Sequence, residues 1–170
     1  MSTATHAAFS LPASWQWRPS PNHSARPARV SAIVLHADAS SRVASSLDWI
    51  RRAESKVSYH VLIGRVGEVF AVVHPDRMAW HAGVSSLDGV SHVNRFSVGV
   101  CLSNRNDGVE QHPGAQVSAA ADVCAILCRH YGIPVDRLVT HAQVAPGRKT
   151  DPIALDLAEF RERVTARLAI

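Results

Sequence analysis

The feature that most constrains the fold is a near-continuous apolar run over residues 30–35, which ends directly before His36. Apolar residues at successive positions are typical of a central strand whose two faces are both covered. A second apolar run of strand length occupies residues 96–102. Segments with helical periodicity lie between and after these runs. We therefore predict an α/β fold, in which helices flank a central mixed β-sheet on both faces.

Helical periodicity and end signals predict three helices, over residues 43–54, over residues 118–131 and from Asp156 onward. Residues 56–73 are rich in β-formers and contain the turn Gly64–Gly67, which predicts a β-hairpin. We find no internal repeat, and 170 residues suit one domain.

The first 29 residues differ from the remainder because they are rich in Pro, Ser, Ala and Arg. This composition predicts an extended lead-in over 1–29 that packs on a catalytic domain over 30–170. Trp15 and Trp17 are the expected anchors of the lead-in.

Composition limits the expected partners and location. The net charge of +4 and the pI of about 9.4 permit binding to acidic polymers, but the basic residues are scattered, so no nucleic-acid partner is expected. Residues 1–17 lack a signal-peptide pattern and no stretch reaches transmembrane length, which predicts a cytoplasmic protein without a membrane partner. A monomer is expected. The three cysteines lack a disulfide spacing, so buried, reduced thiols are predicted.

Three residues have the chemistry of a metal site. His36 ends the first apolar run, and the segment 141–152 contributes His141 and Asp151. A catalytic zinc ion is held by three protein ligands of this type, with a fourth position open. Taken alone, 141–152 is typical of a surface loop. The similar placement of His36 at a strand end favours the hypothesis of a zinc site at the strand ends.

Other polar residues near these positions are candidates for catalysis or substrate binding. Lys149 lies two residues before Asp151, and its ammonium would stabilise an oxyanion, although a solvated loop lysine is the simpler interpretation. Tyr59 would hydrogen-bond a nucleophilic water or a developing charge, and an ordinary strand tyrosine is its alternative. Trp80 and His81 would contact substrate by stacking and hydrogen bonding, or would pack within their loop. His60 is a further substrate-binding candidate, although a regular strand directs it away from Tyr59.

With these residues in this order, the chain resembles the zinc-dependent N-acetylmuramoyl-L-alanine amidases, a superfamily that includes phage lysozymes, bacterial recycling amidases and peptidoglycan recognition proteins. The resemblance covers about residues 30–152 and rests on five stretches in family order. These are AIVLH at 32–36, VSYHVLI at 57–63, AWHAG at 79–83, SVGVCL at 97–102 and HAQVAPGRKTDP at 141–152.

The resemblance implies that His36, His141 and Asp151 bind Zn²⁺ and that Lys149 assists at the oxyanion. Recycling amidases carry a catalytic glutamate at the position of Cys101 and a small residue at that of Tyr59. Phage lysozymes resemble this chain at both positions, whereas the stretch after Trp80 is more similar to the recycling branch.

Three hypotheses follow for function. The first is a phage or prophage endolysin, a bacteriolytic hydrolase that cuts peptidoglycan between N-acetylmuramic acid and L-alanine after holin-type release. The second is a cytoplasmic recycling amidase for soluble anhydro-muropeptides. The third is a peptidoglycan-binding module without catalysis, which the complete ligand set disfavours. The endolysin is the main expectation.

Overall fold

The computed structural model describes residues 7–170, which form a central sheet between helices. The strands are β1 (Gln16–Trp17), β2 (His23–Ala25), β3 (Ala32–Ala37), β4 (Val61–Ile63), β5 (Val69–Ala71), β6 (Arg77–Ala79), β7 (Ser86–Leu87), β8 (Val90–Ser91), β9 (Ser97–Leu102) and β10 (Leu138–Thr140). The helices are α1 (Val43–Ile50), α2 (Gly114–Tyr131), α3 (His141–Val144) and α4 (Leu157–Leu168).

The main sheet has the strand order β1-β5-β4-β9-β3-β10. Strands β4, β9, β3 and β10 run parallel, and β5 is antiparallel to β4, so the sheet is mixed. Two pairs, β2 with β6 and β7 with β8, form separate small sheets. The predicted fold class is therefore confirmed.

Register places the functional strand ends side by side. His36 is paired with Cys101 of β9, and Thr140 of β10 is paired with Leu35. His141 therefore follows its strand at the level where β3 carries His36. Because the carboxyl ends of parallel strands meet at one sheet edge, side chains from distant parts of the sequence gather there.

Alternation along the central strands separates a helix-covered face from a face that carries polar groups. Ile33, Leu35 and Val100 point into the core under α2 and α4. The opposite positions on β3 and β9 include His36 and Cys101, and Cys101 packs against the α1 residues. The sheet thus uses one face for stability and the other for the site.

Some element boundaries differ from the sequence prediction. Helix α1 ends at Ile50, and α2 begins at Gly114. In the first turn of α2, buried Gln116 donates to the carbonyls of Ile63 and Ser103 at the strand ends. Residues 56–60 are not a regular strand, since Lys56 has a positive φ of 50°. Short strands β6, β7 and β8 lie within the segment 75–92, for which the sequence analysis predicted no strand.

Residues 1–6 of the predicted lead-in lie outside the described residues, and residues 7–29 are fastened to the domain by backbone pairing and aromatic packing. Strand β1 pairs with β5, and β2 pairs with β6. Phe9 stacks on Tyr131 with ring centroids 6.0 Å apart, and Trp15 is 9% exposed. Trp17 is 45% exposed, so its predicted role as an anchor is wrong. Strand β1 directs its side chain outward at the sheet edge.

All three cysteines are free and buried, as predicted. Among residues 7–170, none of the helices combines the length and the hydropathy needed to cross a bilayer.

Asn22 of the lead-in holds the segment that leads into the site. Its amide nitrogen lies 3.1 Å from the carbonyl oxygen of Ile50, 2.8 Å from that of Arg52 and 3.2 Å from that of Val57. Asn22 is buried. One side chain therefore satisfies carbonyls on both sides of the turn between α1 and Tyr59.

We expect Asn22→Ala to lower the free energy of unfolding by about 1–3 kcal/mol, because the hydrogen bonds from the buried Asn22 amide to the carbonyls of Ile50, Arg52 and Val57 are lost. Urea denaturation measures the change. The exposed helix residue Asp48 provides a control, and Asp48→Ala should stay within about 0.5 kcal/mol of wild type. Equal effects of the two substitutions would contradict this role of Asn22.

Candidate metal centre and active site

The two histidines of the candidate metal centre are held in place by different secondary-structure elements. His36 is fully buried within β3. His141 is the first residue of α3, which Thr140 and Gln143 cap reciprocally: Gln143 N donates to Thr140 Oγ1 at 3.2 Å, and Thr140 N donates to Gln143 Oε1 at 2.9 Å. The sequence predicted a loop at His141. The capping box instead turns the chain into a short helix.

Asp151 is brought back to the histidines by backbone hydrogen bonds. Ala142 N donates to the carbonyl oxygen of Asp151 at 3.0 Å, which closes the segment 142–151. Ala37 N donates to Asp151 Oδ2 at 3.3 Å. The carboxylate is therefore fixed between the end of β3 and the start of α3, and it is buried.

The three predicted ligands converge through one atom each. His36 Nδ1 lies 3.0 Å from His141 Nδ1 and 3.4 Å from Asp151 Oδ2, and His141 Nδ1 lies 3.1 Å from the same Asp151 Oδ2. Ligands about 2.0–2.1 Å from a tetrahedral zinc ion are about 3.3 Å apart. The donor set of two imidazoles and one carboxylate, and its spacing, therefore fit a zinc ion.

The ionisation states of these groups favour ligation. Burial lowers the pKa of His36 to about 4, so its imidazole is neutral at neutral pH. Burial acts to raise the pKa of Asp151, but hydrogen bonds with His141 and His36 outweigh it and hold that pKa below its usual range. Neutral imidazole and ionised carboxylate are the forms that bind a metal.

The ring nitrogens that face away from the centre are also bonded. His141 Nε2 lies 3.2 Å from the carbonyl oxygen of Ala82, to which it donates. His36 Nε2 lies 3.0 Å from His81 Nδ1. Bonds of this kind fix which nitrogen of a ligating histidine presents its lone pair.

A cleft of about 490 Å³ opens onto the centre. Its lining includes Tyr59, Trp80, His81 and Lys149 together with the ligands His141 and Asp151. Its volume lies within the range of small-molecule binding sites, and its position gives a ligand direct access to the candidate metal ligands.

Tyr59 and Lys149 both reach the cleft. The ring of Tyr59 lies 5.2 Å from that of His36, centroid to centroid. Burial, with the nearby Cys101, raises the pKa of the Tyr59 hydroxyl well above its usual value, so the hydroxyl stays protonated. Lys149 is exposed at the cleft wall, two residues from Asp151, and among the described residues its ammonium group makes no hydrogen bond or ion pair.

The other predicted substrate contacts have different positions. Trp80 is half-buried at the cleft wall, and its Nε1 donates to Ser24 Oγ at 2.9 Å. His81 borders the cleft but is only 4% exposed. His60 is fully buried and lies outside the cleft lining, where Gly99 N donates to its Nδ1 at 2.8 Å. The predicted substrate contact of His60 is therefore wrong, because its side chain points into the protein.

Three residues that the sequence analysis did not single out support the centre. Arg148 donates to the carbonyl oxygens of Ala82 at 2.6 Å and of Val84 at 2.7 Å. Asn94 Oδ1 accepts from Ala82 N at 2.7 Å. Asp38, which follows β3, accepts from Asn104 N at 2.9 Å and borders the cleft. These contacts join segments that are distant in sequence, so no local pattern indicates them.

Gly99 of β9 provides the space for the imidazole of His81. A Cβ atom at this position would lie 2.5 Å from His81 Cγ, far inside van der Waals contact. We expect Gly99→Ala to lower the free energy of unfolding by about 1–3 kcal/mol through overpacking.

Gly114 offers the matched control, because a Cβ atom there meets nothing within 4 Å. Gly114→Ala, at the start of α2, should leave the free energy of unfolding unchanged or raise it by up to about 1 kcal/mol. Chemical denaturation of both variants measures the difference. Wild-type stability in Gly99→Ala would show that the His81 ring can move aside freely.

Comparison with known proteins places this geometry in a family. The model of the N-acetylmuramoyl-L-alanine amidase family matches residues 26–154. The 1,6-anhydro-N-acetylmuramyl-L-alanine amidase AmpD of Citrobacter freundii is 40% identical over 114 residues, which are 66% of this chain and 60% of that protein. The amidase AmiD of Escherichia coli K12 is 30% identical over 140 residues, which are 73% of this chain and 49% of AmiD. The chain thus spans about 60% of the length of AmpD.

Solved structures agree with this relationship. A selenomethionine derivative of AmpD superposes with a TM-score of 0.76 at 30% identity, covering 91% of this chain and 96% of that one. The E. coli AmiD complex with anhydro-N-acetylmuramic acid-L-Ala-D-gamma-Glu-L-Lys has a TM-score of 0.72 at 27% identity, covering 82% and 60% of the two chains. The present chain belongs to the N-acetylmuramoyl-L-alanine amidase family.

Proposed function

We propose that this chain is a zinc-dependent amidase that hydrolyses the bond between N-acetylmuramic acid and L-alanine in soluble 1,6-anhydro-muropeptides. The observation that carries the proposal is the convergence of His36, His141 and Asp151 at the floor of an open cleft. The similarity to AmpD supports the choice of the anhydro-muropeptide as substrate.

This substrate replaces the endolysin that the sequence analysis favoured. Six curated relatives named as 1,6-anhydro-N-acetylmuramyl-L-alanine amidases are 34–40% identical to this chain. A structure described as an endolysine amidase, from Clostridium intestinale, is 18% identical and bears on the fold alone. The expectations of a monomer and of a cytoplasmic location stay predictions.

His36, His141 and Asp151 would hold the zinc ion. When bound, zinc supplies Lewis-acid polarisation of a carbonyl group and lowers the pKa of a coordinated water. Backbone and side-chain hydrogen bonds hold all three ligand side chains in place. The complete ligand set supports an enzyme over a binding module.

Tyr59 and Lys149 would act on charge that develops during hydrolysis. Lys149 brings a positive charge to the cleft wall, where it stabilises the negative charge forming on the carbonyl oxygen. The ring of Tyr59 lies 5.2 Å from that of His36, and its protonated hydroxyl would donate a hydrogen bond to the same developing charge. Since that hydroxyl keeps its proton at neutral pH, Tyr59 is a donor and not a general base.

The substrate is tested by incubating the zinc-loaded protein with soluble anhydro-muropeptides and, separately, with purified sacculi. We expect release of stem peptides with a free L-alanine amino group from the soluble fragments only. A strong zinc chelator or His36→Ala should abolish the release, because the metal loses its site. Mass spectrometry of the released peptides measures the outcome.

Other outcomes of this experiment would support the alternative hypotheses. Efficient release from sacculi would favour the endolysin hypothesis. Stoichiometric zinc and bound muropeptide without any released peptide would favour the binding module. A wild-type protein without zinc affinity would contradict the metal assignment itself.

Two substitutions test the proposed catalytic groups. Lys149→Met and Tyr59→Phe should each lower kcat roughly 10²- to 10³-fold, the usual cost of removing one donor to a developing oxyanion. Zinc content should not change, since neither side chain is a ligand. Lys149→Arg retains the charge and serves as the control for Lys149. Full activity in Lys149→Met would assign this residue to the solvated surface.

A further inference from the structure

A line of hydrogen bonds connects the candidate metal ligand His36 to a backbone carbonyl in the segment before β9. His36 Nε2 lies 3.0 Å from His81 Nδ1, and His81 Nε2 lies 3.2 Å from Ser97 Oγ. Ser97 Oγ lies 2.6 Å from the carbonyl oxygen of Val93. All three side chains are buried, with exposures of 0%, 4% and 0% for His36, His81 and Ser97.

The direction of each bond follows from the last one. The carbonyl of Val93 has no hydrogen, so two oxygens 2.6 Å apart require the hydroxyl hydrogen of Ser97 between them. Ser97 Oγ therefore accepts from the Nε2–H of His81. A neutral His81 then has a lone pair on Nδ1, and the hydrogen in the 3.0 Å contact must belong to His36 Nε2.

We propose that His81 is a positioning residue, which accepts the Nε2–H of His36 and so directs the Nδ1 lone pair of His36 toward the metal. The inference rests on the proposed function, since it concerns the zinc site of that function. The carbonyl of Val93 thereby selects the tautomer of a ligand two side chains away. Outer partners of this kind typically contribute a factor of roughly 10 to 100 to metal affinity.

The packing around His81 holds its ring in the orientation that this role requires. Asn94 Oδ1 accepts from the backbone N–H of His81 at 3.2 Å. Gly99 leaves space for the ring that any side chain would fill. With both ring nitrogens bonded and 4% of the residue exposed, His81 has little left to offer a substrate.

Two substitutions at this position separate positioning from packing. His81→Phe retains a ring against Gly99 but removes the acceptor, and it should weaken zinc binding roughly 10- to 100-fold. His81→Asn gives up the ring but places Oδ1 where Nδ1 stood. The zinc affinity of His81→Asn should stay within about threefold of wild type, which is a smaller loss than the roughly 10- to 100-fold expected for His81→Phe. If His81 served only to pack against Gly99, His81→Phe would bind zinc more tightly than His81→Asn.

Competition with a chromophoric zinc chelator measures the affinities, and the melting temperatures of the metal-free proteins report folding. Ser97→Ala should weaken zinc binding less than His81→Phe but in the same direction. Ser20→Ala is its matched control, because Ser20 is also buried and donates to a backbone carbonyl, that of Ile50, away from the centre. It should leave zinc affinity unchanged.

The inference would be overturned by wild-type zinc affinity in His81→Phe, or by equal losses in His81→Phe and His81→Asn. In either case the proposed function would stand if the wild-type protein bound zinc and cleaved its substrate. Should His81→Phe fail to fold, the comparisons of His81→Asn with wild type and of Ser97→Ala with Ser20→Ala decide. Equal zinc affinity in the two serine variants would then overturn the inference.

Discussion

The close approach of three ligand atoms at a buried sheet edge is the constraint on which the remaining structure depends. His36 and His141 meet because β3 and β10 are parallel neighbours and Thr140 is in register with Leu35. A slip of one residue would turn His36 to the face covered by α2 and α4, since side chains alternate along a strand. The register of two strands more than a hundred residues apart therefore determines whether the site exists.

The electrostatics of this end of the sheet favour the cation that we propose for the centre. Burial keeps His36 neutral, while hydrogen bonds keep Asp151 ionised. The ligand set thus places one negative charge and two lone pairs in a buried space. An uncompensated buried carboxylate is costly, and a divalent ion bound by all three groups offsets that cost. The same burial that stabilises the sheet thus favours the metal ion proposed for this site.

The sequence predicted the elements that depend on local patterns and missed those that depend on tertiary contacts. Apolar runs indicated β3 and β9, and their ends indicated where His36 would lie. The structure brings the three predicted ligands together. The alternation of apolar and polar residues could not predict that segment 56–60 is irregular. Lys56 adopts a left-handed conformation there, after a turn that Asn22 fixes through tertiary hydrogen bonds.

For a related reason, the sequence contained no indication of the roles of His60 and His81. His60 and His81 both lie beside residues that face the cleft, and only the fold shows that their rings point inward. Their partners, Gly99 and Ser97, are separated from them by between 16 and 39 positions. A glycine and a serine in a strand carry no local indication that they receive an imidazole.

Tyr59 and Cys101 determine which charges the site presents to its substrate. By the family resemblance, recycling amidases carry a glutamate where this chain has Cys101, next to His36 in register. Burial raises the pKa of the Cys101 thiol well above its usual value, so the group is neutral. This chain therefore has one negative charge fewer beside the candidate metal ligands than a relative with an ionised glutamate. A neutral thiol and a protonated phenol cannot remove a proton from water at neutral pH, but they do not oppose an oxyanion either. The chain thus combines a sequence similar to those of anhydro-muropeptide amidases with a site that, under the proposed function, would rely on stabilising charge.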